Sequence, residues 1–234
     1  MNKDNFIKEV EKLGIEITET KLNQLEKYYE MLIEYNKVMN LTGITEKEEV
    51  YLKHFYDSLT IAKIIDLSKQ ETLCDIGTGA GFPGLVLKIF YPNLKITLVD
   101  SLNKRINFLN EAIKELKLQK IETIHGRMEE YSKQNIEKFD VVTARAVAQM
   151  HFLLEVSVPM LKVGKYFIAM KGNIENEIDY NYALNKLSAS QKEIITFKLP
   201  KEESNRTLIK VVKNKITSKL FPRKYVEIKR NPLC

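Results

Sequence analysis

The residues with the greatest chemical potential lie in one stretch, Asp75-Ile76-Gly77-Thr78-Gly79-Ala80-Gly81-Phe82-Pro83-Gly84. Glycine tolerates positive φ and has no Cβ to hold a ligand off the backbone. A loop of this composition between a strand and a helix can therefore receive a flat, adenosine-like molecule. The spacing Gly79-x-Gly81-x-x-Gly84 satisfies a dinucleotide fingerprint, and Asp100, 21 residues beyond Gly79, stands where an acid that grips ribose hydroxyls is expected. Other features favour S-adenosylmethionine over NAD. Asp75 closes the strand before the loop, where a carboxylate repels a pyrophosphate and suits a sulfonium or an amino group. Pro83 removes a backbone donor from the segment that would cradle phosphate. The two oxygens of Asp100 can accept both ribose hydroxyls; its other reading is an N-cap for the next helix, a role Ser101 could fill instead. Gly126-Arg127-Met128-Glu129 is placed to border the adenine, with Glu129 or a backbone group reading its amino edge. Arg145 ends a later apolar run, and its planar fork suits the carboxylate of the ligand, a guanine O6 or a phosphate; an ion pair with Asp75 or Asp140 is compatible with that role. His54 and His151 read as packing groups, and with His125 they show no i,i+4 pairing, so no metal site is expected.

These residues need a scaffold. From Asn2 to roughly Leu67 the apolar spacing is helical, clearest in Leu22, Leu25, Tyr29 and Leu32. Gly14 ends a first helix, Thr18 caps a second, and Asn40, Thr42 and Gly43 interrupt the pattern before a third over Glu46 to Leu67. After residue 70 short β-branched runs alternate with amphipathic ones. Strands are predicted at Thr72 to Ile76, Leu94 to Val99, Ile121 to His125, Phe139 to Thr143 and Tyr166 to Met170. Helices are predicted between them, at Gly84 to Phe90, Leu102 to Leu116, Met128 to Tyr131 and Gln149 to Leu161. Repeated strand-helix units give a parallel sheet covered on both faces. A helix over Ile174 to Leu187 then leads to Ile194 to Leu199 and Leu208 to Val212, which lack an intervening helix and are expected to pair antiparallel at one edge. The predicted fold class is α/β: a doubly wound, seven-stranded, mostly parallel sheet with an N-terminal helical extension. Residues 1–67 form the helical region packed on the core and residues 68–234 the ligand-binding domain with a basic C-terminal segment.

The 234 residues carry a net charge of +6, but residues 200–234 hold ten Lys or Arg against three acids, a net +7 that leaves the remainder at −1. That asymmetry suits either an anionic partner such as nucleic acid or a solvated lysine-rich tail. The candidate nucleic-acid contacts are Lys104, Arg105, Lys171, Arg206, Arg223 and Lys224, of which Lys104, Arg105 and Lys171 follow strand ends. Cys74 and Cys234 are too few for a disulfide framework, which suits a reducing compartment. No apolar run approaches the ~20 residues that span a bilayer, and a cytoplasmic location is expected.

Taken together, Asp75 to Gly84, Asp100-Ser101-Leu102-x-Lys104-Arg105-Ile106-x-Phe108-Leu109, Gly126-Arg127-x-Glu129, Phe139-Asp140 with Arg145-Ala146, Lys171-Gly172 and Pro222-Arg223-Lys224 closely resemble the RsmG (GidB) family. Asn40-Leu41-Thr42 and His54-x-x-Asp57-Ser58-Leu59 extend the resemblance over nearly the whole chain. It implies a bacterial enzyme of the Rossmann-like methyltransferase class that uses S-adenosylmethionine to methylate N7 of a guanosine in small-subunit (16S) ribosomal RNA. It also implies cofactor contacts at Gly77, Phe82, Met128, Glu129 and Arg145, to which the reading above adds Gly79 and Asp100; Arg145 is the catalytic candidate. Phe82 and Met128 occupy places that vary in the family, so their backbone matters more than their side chains. The expected partner is ribosomal RNA or the small subunit, with no membrane, no protein partner and a monomeric chain.

The residues narrow the acceptor independently. Methylation at C5 of a pyrimidine needs a cysteine nucleophile, yet Cys74 lies within a strand and Cys234 is the last residue. Exocyclic amines usually go with an Asn/Asp-Pro-Pro-aromatic loop, whose place holds Thr143-Ala144-Arg145-Ala146. Guanine N7 carries an in-plane lone pair and loses no proton, so it needs alignment and exclusion of water rather than a general base. A nicotinamide oxidoreductase and a non-catalytic RNA-binding assembly factor are the rival readings.

Overall fold

The computed structural model describes residues 1–174, 178–203 and 205–234. Helix α1, Lys3–Lys12, starts where the Asn2 side chain accepts from the Asn5 N–H. Helix α2, Glu19–Met39, is capped by Thr18 and stops at Asn40, whose φ of 48° is left-handed. The third helical stretch, α3 at 47–63, is composite. An α turn at Lys47–Val50 widens into a π segment at Tyr51–Tyr56, returns to α at Asp57–Leu59 and tightens to 3-10 at Thr60–Lys63. It is shorter than the predicted Glu46 to Leu67, because Asp66 caps a separate 3-10 turn at Leu67–Lys69.

Seven strands follow, β1 Thr72–Ile76, β2 Lys95–Asp100, β3 Ile121–His125, β4 Phe139–Arg145, β5 Leu161–Lys171, β6 Ala189–Lys198 and β7 Asn205–Lys213. They form one sheet in the order β3-β2-β1-β4-β5-β7-β6. The first five are parallel, and β7 runs antiparallel between β5 and β6. The connecting helices are α4 Gly84–Phe90, α5 Asn103–Glu115, α6 Met128–Gln134, α7 Met150–Ser157 and α8 Asn181–Lys186, with α9 Tyr225–Arg230 near the C-terminus. Two predicted helices are corrected. The one expected over Gln149 to Leu161 ends at Ser157, because Pro159 lacks an N–H and the chain tightens to 3-10 before Leu161 opens β5. The one expected over Ile174 to Leu187 is reduced to α8: Asp179 accepts from the Asn181 N–H and starts the helix there, while part of the predicted span, residues 175–177, lies outside the described residues.

Alternation along the strands divides the core. Leu73 and Val141 face one side, where Phe6, Val10, Leu25 and Tyr28 of the N-terminal helices join Leu85 and Phe108 in a single buried cluster. Cys74 and Val142 face the other, with Leu153 of α7 and Leu184 of α8. β1 has β2 on one side and β4 on the other. The crevice for a ligand in such a sheet lies beyond the carboxyl ends of these strands.

Candidate functional site

A crevice of about 630 Å³ opens at that switch point. The loop after β1 forms its floor, and Asp75 shapes the loop from beneath. This carboxylate is fully buried. Its Oδ2 accepts from Thr78 Oγ1 at 2.7 Å and from the Gly84 N–H at 2.8 Å, tying the two ends of the turn together. Its Oδ1 has no partner, and burial pushes its pKa up to about 7. Asp75 does not line the crevice. The expectation of a direct carboxylate-to-cation contact from it is corrected, since the bonds to Thr78 and Gly84 turn it into the loop.

The glycines divide by role. Gly77 and Gly79, at φ of 69° and 61°, line the crevice. A Cβ on Gly84 would collide with Leu98, so this glycine serves close helix-to-strand packing. The loop is also held from the N-terminal side, where the phenol of Tyr28 donates to the Ala80 carbonyl.

Asp100, at the end of β2, lines the crevice but has little capacity left. Its Oδ1 accepts from the Leu102 N–H at 2.9 Å, and its Oδ2 accepts from the Gly79 N–H at 2.9 Å and from Arg105 at 3.3 Å. A carboxylate has about four lone-pair sites, so one remains, on Oδ1, and the expected grip on both ribose hydroxyls is reduced to one. Arg105 lines the crevice in this pair and belongs to the Asp100 side rather than to a separate RNA surface. Met128 and Gly126 line the wall. The buried Glu129 instead points to a second hollow of about 400 Å³, with its carboxylate 3.7 Å from Arg127, so its side chain does not border the main crevice as expected.

Arg145, the last residue of β4, is held by four groups. Its Nη1 donates to the Lys53 carbonyl at 3.0 Å and to Asp57 Oδ2 at 3.0 Å. Its Nη2 lies 3.3 Å from His54 Nδ1, and its guanidinium sits 5.2 Å over the Phe82 ring. The ion-pair partner is Asp57, not Asp75 or Asp140: Asp140 sits near the start of β4, where it accepts from the Glu71 and Thr72 N–H groups and pairs with Lys162. The other Asp57 oxygen pairs with Arg206 Nε of β7 at 3.3 Å. His54 stacks on Phe82 at 4.5 Å with Nε2 2.8 Å from Thr42 Oγ1. Burial, then the Arg145 charge, hold its pKa down at about 3, so it is neutral. His54 packs as expected, yet it also lines the crevice.

The remaining cations separate. Lys171 and Arg206 line the crevice. Lys104 is exposed and donates to the Met39 carbonyl at 3.2 Å, and Lys224 borders the second hollow. Arg223 is moved from the RNA set to the fold, because its guanidinium grips the fully buried Glu155 through Nε at 2.8 Å and Nη2 at 2.7 Å, and Nη1 donates to the Asn231 carbonyl. Sequence reasoning left Thr42, Lys53 and Asp57 without a role, though all three line the crevice. The signal for one was present: an acid at Asp57 within a helical run, three residues from His54.

Comparison with known proteins identifies the family. Residues 21–209 match the GidB family, described as rRNA small subunit methyltransferase G. The chain is 47% identical over 237 residues to ribosomal RNA small subunit methyltransferase G of Exiguobacterium sibiricum, covering 100% of both. It is 49% identical over 228 residues to the Bacillus thuringiensis protein of the same name, covering 96% of this chain and 95% of that one. Among solved structures, a SAM dependent methyltransferase from Aquifex aeolicus shares the fold at a TM-score of 0.54 and 15% identity, over 74% of this chain and 97% of that one. M. jannaschii TYW2 in complex with AdoMet shares it at 0.52 and 17%, over 62% and 70%. The chain thus belongs to the GidB family of rRNA small subunit methyltransferases.

Proposed function

We propose that this protein transfers the methyl group of S-adenosylmethionine to N7 of a guanosine in 16S ribosomal RNA, working as a cytoplasmic monomer on the RNA or the small subunit. The observation that carries the acceptor is the absence of a ready base among the described residues lining the crevice. Asp57 is bridged to two arginines, Asp100 holds three donors, and His54 is neutral with its basicity suppressed. A nitrogen that must shed a proton is poorly served there, whereas guanine N7 sheds none.

The donor set fits the cofactor. Gly77 and Gly79 present backbone without side chains, Asp100 keeps one acceptor site for a ribose hydroxyl, and Val99 and Met128 give an apolar wall for an adenine. The backbone of Phe82, Met128 and Glu129 completes the proposed contacts. When bound, S-adenosylmethionine supplies an electrophilic methyl on a sulfonium. The chain contributes alignment, exclusion of water and fixed dipoles. Residues 1–67 act as a working part of the site, since Lys53, His54 and Asp57 border it. The proposed RNA contacts are Lys171 and Arg206 at the crevice, Lys104 beside it and Lys224 further out.

Purified protein incubated with labelled S-adenosylmethionine and small ribosomal subunits is expected to place label on a guanine N7 that cleavage at 7-methylguanosine then maps. Label found only on protein or on small molecules would overturn the assignment.

A further inference from the structure

Resting on that reading, we propose that the part of the crevice lined by Lys53, His54, Asp57, Arg145 and Arg206 is the acceptor-base subsite. There Arg145 donates to O6 of an unstacked guanine, and Asp57 is the positioning residue that aims it. A guanidinium that only neutralised Asp57 would need no more than that carboxylate. Arg145 is instead fixed by a backbone carbonyl, a carboxylate, an imidazole and an aromatic face at once. A free arginine side chain has rotamer entropy to lose on binding, and this shell removes it before a ligand arrives. Both Nη1 hydrogens are taken by Lys53 and Asp57. Nε–H and at least one Nη2 hydrogen have no protein partner among the described residues, and the side chain borders the crevice.

Donors without acceptors define the ligand. Guanine offers O6 as an acceptor beside N7, whereas adenine places an amino donor at that position and would meet the guanidinium donor to donor. A bond to O6 leaves the N7 lone pair open to the methyl group. Asp57 holds Arg206 with its second oxygen, so one carboxylate links β4 and β7 to α3 across the subsite. Its own acceptor capacity is turned toward these arginines, which keeps it from accepting the adenine amino group. Ile44 and Leu208 give the base an apolar wall.

The test uses the full-length protein and small subunits reconstituted with RNA carrying either guanine or 2-aminopurine, which lacks O6, at the mapped position. For wild type, kcat/KM is expected to fall roughly 10- to 100-fold on 2-aminopurine, the loss of one hydrogen bond to a charged group. In Arg145→Ala and Asp57→Ala that ratio should shrink to about one, because the donor is absent or unaimed. Asp57→Glu should restore part of the ratio, and calorimetry should give Asp57→Ala a Kd for S-adenosylmethionine within about threefold of wild type. Should Asp57→Ala not fold, the isosteric Asp57→Asn is measured in its place. Equal wild-type rates on both bases, or cofactor affinity falling in step with turnover in the Asp57 variants, would overturn the subsite. Absence of N7 methylation on ordinary RNA would overturn the function beneath it instead.

Discussion

Asp75 is a carboxylate held so deeply that it takes up its proton near neutrality, with a pKa pushed up to about 7 by burial. The folded state then binds a proton that the unfolded chain has released above about pH 4. Its contribution is fully present at low pH and fades as the pH rises from about 4 through about 7. Asp75→Asn keeps an oxygen for Thr78 and Gly84 and carries no charge. Its melting temperature is therefore expected to gain on wild type steadily between pH 5 and pH 8, measured by thermal melts in matched buffers; a constant difference would refute the buried-acid account. This residue marks what the sequence reveals at the smallest scale. Asp75, Gly77, Gly79, Asp100 and Arg145 were legible as types at telling positions. What each one touches was not, because the partner of Arg145 lies 88 residues away on another element. Local spacing does not encode such a pair.

Among the elements, α2 does work that its polar composition hides. Tyr28 stacks on Phe55 and lies tilted against Phe82, each at 5.5 Å, and its phenol holds the Ala80 carbonyl of the glycine loop. Tyr28→Phe keeps the rings and deprives a buried carbonyl of its donor, so urea unfolding should show a loss of about 1–3 kcal/mol with an unchanged m-value. Element bounds were legible where punctuation is sharp: β1, β3 and α4 fall at Thr72–Ile76, Ile121–His125 and Gly84–Phe90 as predicted. They were missed where burial and pattern part company. β5 begins at Leu161, before Gly164 with its φ of 81° and two lysines that break the apolar run. β6 is an edge strand whose first half, Ser190 to Glu193, shows no apolar face at all. The π segment of α3 has no signature in residue spacing, yet it carries His54 and leads directly into Asp57.

For the molecule as a whole, the basic C-terminal segment proves to be two things. Part of it reaches the crevice through Arg206, and part fastens the chain end to the sheet domain through the Arg223–Glu155 pair. Arg223→Ala strands a buried carboxylate. It is expected to cost about 3 kcal/mol in chemical unfolding while RNA affinity per folded molecule stays near wild type; a loss of affinity without a loss of stability would reverse that division. Net charge alone could not separate these roles, since a cation bound to RNA and one bound to a buried acid count equally in a composition. The insertion of β7 between β5 and β6 carries a consequence for the protein's own synthesis. Asp57 is translated 149 residues before Arg206, the partner of its second oxygen. A nascent chain can thus display its glycine turn long before the arginine bridge is closed, and the enzyme acquires its finished mouth only once β7 has emerged from the particle that makes it.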